Sequence, residues 1–139
     1  MRTNRLRSRQ RQLARGSLLF VAVLFVSAAA HAASIFEFDQ WMQRVEKRAL
    51  SVQRDLDRAD GTAGASDARE IEALYRKMED YFVLMGDAPR AVELSKKGRQ
   101  DAGDLATRAA ANDFEGARPI IKSMMEDCRT CHREYKPLT

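Results

Sequence analysis

The chain has 139 residues, 45% hydrophobic and 32% charged, with a formal charge of +4. The positive excess is confined to the start: Arg2, Arg5, Arg7, Arg9, Arg11 and Arg15 lie in residues 1–32, which hold no acid. The other 107 residues carry 18 basic and 20 acidic side chains, a charge of −2 that offers no evidence for nucleic-acid binding, and their number is one domain's worth.

Residues 17–30 (SLLFVAVLFVSAAA) form an apolar run after the arginines, and Ala30-His31-Ala32 is a small-x-small cleavage site. This pattern predicts a signal peptide over 1–32, cut after Ala32 or at the near-equivalent Ala33. The run falls short of the roughly twenty residues a spanning helix needs, so no stable membrane insertion is expected after cleavage. The absence of an Arg-Arg pair argues against the twin-arginine route.

Domain 33–139 contains four stretches of helical periodicity. The first, about 35–58, has an apolar stripe at Ile35, Phe38, Met42, Val45, Ala49, Val52 and Leu56. A Gly- and Ala-rich stretch over 59–66 is expected to break the chain, with Asp67 as the next cap and Glu70 completing a capping-box-like start. The second stripe is Ile71, Leu74, Met78, Tyr81 and Met85, with Tyr75 and Phe82 beside it, and Gly86 ends the helix.

Asp87 is the expected cap of a third helix over 88–111, with Pro89 in its first turn. Its stripe is small: Ala88, Ala91, Ser95, Gly98, Ala102, Leu105 and Ala109. Gly98 weakens the helix and so calls for something packed against it, either another helix or a flat ligand. Asn112-Asp113 is read as the start of the fourth helix, with Pro119 expected to bend it or delay its regular start, and Pro137 as its end. Four helices with short connections and no strand-like alternation predict an all-α, antiparallel up-down-up-down four-helix bundle.

The fourth stripe runs through Phe114, Ala117, Ile121, Met124, Cys128, Cys131 and Tyr135, and within it lies Cys128-Arg129-Thr130-Cys131-His132. This C-x-x-C-H pattern is the signature of covalent haem attachment. On a helix, residues three and four apart share a face, so Cys128, Cys131 and His132 project together. Two thiols can then each hold one vinyl group of a single haem c while His132 binds the iron as proximal ligand. The cysteines are the only two in the chain, too few for a zinc site of four ligands even with His132. A redox dithiol belongs at a helix start after a strand, and no strand pattern precedes Cys128. A disulfide between residues three apart in a helix is geometrically tight. The haem motif together with the export signal implies the bacterial periplasm.

A single haem motif at the end of an exported four-helix chain of about a hundred residues resembles the cytochrome c′ family. The matching stretches are Asn112-Asp113-Phe114-Glu115-Gly116-Ala117 and Cys128 through Lys136, in which two residues and an aromatic-basic pair, Tyr135-Lys136, follow the motif. Lys136 replaces an arginine common in the family, and Phe38-Asp39 stands where many members have Arg-Gln.

The resemblance implies an electron carrier if the iron's far side takes a methionine from helix one, as in the low-spin branch. It implies a five-coordinate protein binding nitric oxide or carbon monoxide if that side stays open. Met42 occupies the low-spin branch's ligand position and is the expected sixth ligand, with Met78 and Met85 as runners-up. Alone, the stripe would make Met42 core filler. Trp41 and Phe38 are candidates for the haem edge or for ordinary helix burial, Tyr135 for a cover over the proximal side or a surface aromatic, and Arg44, Arg48 and Arg129 for pairing with propionates or for plain solvation. The resulting expectation is a non-enzymatic carrier of single electrons between periplasmic redox proteins, with a homodimer possible by analogy to relatives.

Overall fold

The periodic stripes become four helices in the computed structural model, which describes residues 33–135: α1 (Ile35–Asp57), α2 (Gly61–Met85), α3 (Pro89–Ala110) and α4 (Phe114–Tyr135), with no strand among the described residues. The expected signal peptide, Lys136 and Pro137 lie outside the described residues.

Paired contacts set the direction of each helix. Arg44 meets Glu70 and Arg48 meets Asp67 between α1 and α2. Glu72 lies by Gly103 and Glu79 by Arg99 between α2 and α3. Lys97 bonds Asp127 and Arg108 bonds Asp113 between α3 and α4. Gln53 donates to Met125, and Arg118 meets Asp57, between α1 and α4. In each pair residue numbers rise on one helix as they fall on the other, so the helices run up, down, up and down.

Their inward stripes make a smaller cluster of Phe82, Ala88 and Ala91 and a main core in which Leu56, Ile71, Leu105 and Val52 are the largest fully buried side chains. Each contributes about 1.5–3 kcal/mol relative to exposure. Every member of the small-residue stripe of α3, from Ala88 to Ala109, is buried. A Cβ on Gly98 would stand 2.5 Å from the ring of Tyr75, so the glycine opens a notch that an α2 side chain fills.

Two local expectations need correction. The break over 59–66 shrinks to Ala59-Asp60, and α2 begins at Gly61 rather than after Asp67. Ala59 turns the chain with φ 55°, Asp60 caps by accepting from the Ala63 amide, and Gly61, Gly64, Ala65 and Ala68 are buried. A Cβ on Gly61 would collide with the Ala109 carbonyl and the Asn112 side chain, so this glycine serves a close helix approach and not a loop. Asp67 and Glu70, released from capping, pair with arginines of α1.

At α3 the cap is Ala88, with no side-chain bond, instead of Asp87; Pro89 fills the first turn and Gly86, at φ 77°, reverses the chain. In α4 the helix starts at Phe114 and runs through the exposed Pro119 without a delayed start, held by the Asp113 carboxylate accepting from the Gly116 amide. A capping box at Ser34 and Glu37 starts α1, a feature sequence reading had passed over.

Candidate functional site

Burial along α1 and α4 fades toward one end of the bundle. On α1, Leu56, Val52, Ala49 and Val45 are buried, Met42 and Phe38 half-buried, and Ile35 72% exposed. On α4, Ala117, Ile121 and Met124 are buried, Cys128 and Cys131 half-buried, and Tyr135 41% exposed. The antiparallel topology places these loosening segments at the same end. All of the motif lies there, on the last turns of α4.

The register sets what faces the motif. Extending the α1–α4 pairs 53/125 and 57/118 one residue for one brings Met42 opposite the last residues of α4, about one turn from His132. On α2, Tyr75 meets Cys128 and Phe82 meets Tyr135, which brings the buried Met78 level with Cys131. Met85 is half-exposed beyond that level. Met124 is buried below the motif, and Met125 is turned to Gln53 of α1.

An aromatic cluster borders this end. Phe38 stacks on Tyr81 at 4.6 Å and meets Phe82 edge-on at 5.2 Å, Phe82 lies 6.2 Å from Tyr135, and Trp41 is 6.4 Å from Phe38. Such rings exclude water while keeping polar edges outside. The ammonium of Lys77 sits 5.5 Å over the Trp41 ring. A cavity of about 270 Å³ nearby, lined by Phe82, Val83, Gly86, Ala88, Pro89 and Val92, includes none of the motif residues.

The two cysteines are free thiols. Burial pushes the Cys128 thiol up from its ordinary range, against a hydrogen bond with Tyr75 that pulls it down; burial also raises Cys131. Burial, reinforced by Cys128, holds the Tyr75 phenol well above its usual value. Both sulfurs are therefore protonated near neutral pH, and they sit at a helix C-terminus, whose dipole disfavours a thiolate. A reactive dithiol needs the reverse arrangement, a lowered pKa at a helix N-terminus.

His132 is exposed on the turn that carries Cys131. Among the described residues no group of three or more His, Cys, Asp and Glu side chains could hold a metal ion by themselves. The donor set instead fits a haem: two neutral, half-buried thiols on one helical face, one imidazole beside them, and an apolar border supplied by α1 and α2. α4 buries no residue after Met124, which leaves its inward face partly uncovered where the thiols stand.

The arginines expected to pair with propionates are engaged by carboxylates. Arg44 bonds Glu70, Arg48 bonds both Asp67 and Glu70, and Arg129 bonds Glu126. Sequence reading singled out neither Tyr75 as a neighbour of Cys128 nor Lys97, which clamps Asp101 and Asp127 and so ties the motif's helix to α3. Gly98 in a helical stripe was the signal for Tyr75. No helix among the described residues is long and apolar enough to cross a membrane. No family model, curated protein or solved structure matches the chain.

Proposed function

We propose that this chain is a periplasmic c-type cytochrome of the cytochrome c′ type that carries single electrons between larger redox proteins. The observation that supports this most is the C-x-x-C-H motif on the last turns of α4, with both thiols half-buried where the bundle loosens. When bound, the haem supplies a one-electron Fe(III)/Fe(II) couple.

The chain's own residues divide the remaining tasks. Cys128 and Cys131 hold the ring by thioether links, and His132 supplies the proximal imidazole. Met42 offers a sulfur from α1 for the opposite side, within about a turn of His132 in the helix register. A His/Met pair favours reduced iron and leaves no position for a substrate, which favours carriage over catalysis. Phe38, Trp41, Tyr81 and Phe82 keep water from the thiol face.

Optical spectra of the purified protein test the ligand assignment. A low-spin spectrum is expected in both oxidation states, and Met42→Ala should turn it high-spin. A high-spin wild-type spectrum would remove Met42 and favour the five-coordinate, gas-binding alternative. A low-spin spectrum unchanged by Met42→Ala would shift the role to Met78, which stands level with Cys131.

A further inference from the structure

The two cysteines have different surroundings. Cys128 has the Tyr75 hydroxyl 3.5 Å from its Sγ, whereas Cys131 stands one turn farther toward the open end. Tyr75 is 9% exposed, and its ring fills the notch left by Gly98, where a Cβ would come within 2.5 Å of it. The ring is therefore placed by the α3 backbone, and its hydroxyl height is set at Cys128. A buried phenol needs a partner, and the sulfur is the one in reach.

We propose that Tyr75, seated on Gly98, is a positioning residue that holds the Cys128 sulfur for haem attachment and then donates a hydrogen bond to the thioether. The proposal rests on the haem reading above. In the free thiol either atom can be the donor. Addition of the thiol across a vinyl group forms an S–C bond, breaks the C=C π bond and delivers the S–H proton to the neighbouring vinyl carbon, with no oxidant required. The sulfur then has lone pairs and no proton, so Tyr75 becomes the obligatory donor. That bond draws charge from the ring's attachment point and favours reduced iron. Cys131 attaches without such guidance.

The test compares Tyr75→Phe with the full-length wild type, both produced with the attachment machinery. Mass analysis of haem peptides after alkylation of unreacted thiols should show a Cys128-free, singly linked species enriched about two- to tenfold in the variant, the equilibrium weight of one net hydrogen bond. The Cys131 link should be unchanged, and the doubly linked fraction should have a lower reduction potential. Equal link distributions with equal potentials would overturn the proposal.

Chain produced without that machinery separates the two ideas. There Tyr75→Phe should lower alkylation of Cys128 relative to Cys131 by the same factor, because a thiol deprived of the Tyr75 hydrogen bond is harder to ionise, a result independent of haem; an unchanged ratio would count against Tyr75. Wild type that takes up no haem, yet shows this thiol effect, would sink the haem reading and leave the Tyr75–Cys128 contact standing. Gly98→Ala, which drives the ring off its seat, should reproduce the alkylation change; failure to do so would also contradict the proposed seating.

Discussion

The two ends of this bundle are built differently. At the end carrying the α1–α2 and α3–α4 turns, Asp60 and Asp113 cap the next helices, Gly61 lets α2 press on α3, and Leu56, Ala109 and Ala117 are buried. At the other, Ile35, Phe36, Val83, Leu84, Met85 and Tyr135 are exposed, and the inward stripes of α1 and α4 end in half-buried side chains. A small domain gains by burying apolar area, so unburied aromatics and aliphatics gathered at one end mark a surface made for contact. The C-x-x-C-H pattern lies at that end. The contrast teaches that protein packing alone completes one end of the fold, while the other leaves apolar surface uncovered, which is where the proposed haem would sit.

The contrast can be broken most forcefully in the core. Ile71→Ala removes a fully buried side chain and should cost about 2–5 kcal/mol in denaturant unfolding, with or without haem. Ile35→Ala at the open end should change the haem-free chain by less than about 0.5 kcal/mol. Equal losses would erase the distinction between the ends.

Hydrogen exchange sharpens it further. In chain made without attachment, amides of residues 38–44 and 128–135 should exchange at least about tenfold faster than those of 45–56 and 117–124, because local opening follows local burial. Attachment should slow the first set selectively.

At the closed end, Asp60→Ala should cost about 1 kcal/mol by removing the acceptor for the Ala63 amide. The smallest effect concerns pH. The Arg44 guanidinium, then Arg48, holds the Glu70 carboxyl below its usual value of 4.5. A depressed carboxyl gives stability present above its unfolded pKa and lost as pH falls through the lower, folded one. Glu70→Gln should therefore flatten the acid limb of the stability curve below about pH 4.5 while costing less than about 1 kcal/mol at neutral pH, since the arginines are substantially exposed. An unchanged acid limb would show that the α1–α2 ion pairs contribute nothing measurable.

Much of this fold could be read from spacing. All seven residues of the α3 stripe are buried, and the apolar stripes of α1 and α4 point inward as periodicity predicts except at the open end, where Ile35 and Tyr135 are exposed. What escaped was tertiary. Glycine at 61 and 64 signals a loop locally, yet in the fold it allows helices to touch, and only the neighbouring Ala109 carbonyl reveals the difference. Asp67 and Glu70 have the spacing of a cap, but their partners are arginines 19 and 26 residues away, beyond any local pattern. In the candidate site, the placing of Cys128, Cys131 and His132 together on the last turns of one helix was legible because it follows from a spacing of three and four. Tyr75 was not, because its contact with Cys128 depends on how α2 and α4 meet.

The most direct measurement is the mass of the polypeptide under denaturing conditions, after production with haem-attachment machinery and trypsin mapping of the last helix. The expected result is the chain mass plus one haem, carried by the peptide containing Cys128 and Cys131 and lost in the Cys128→Ser, Cys131→Ser double variant. A polypeptide at its unmodified mass, with both thiols free to alkylate, would contradict the haem reading of this bundle.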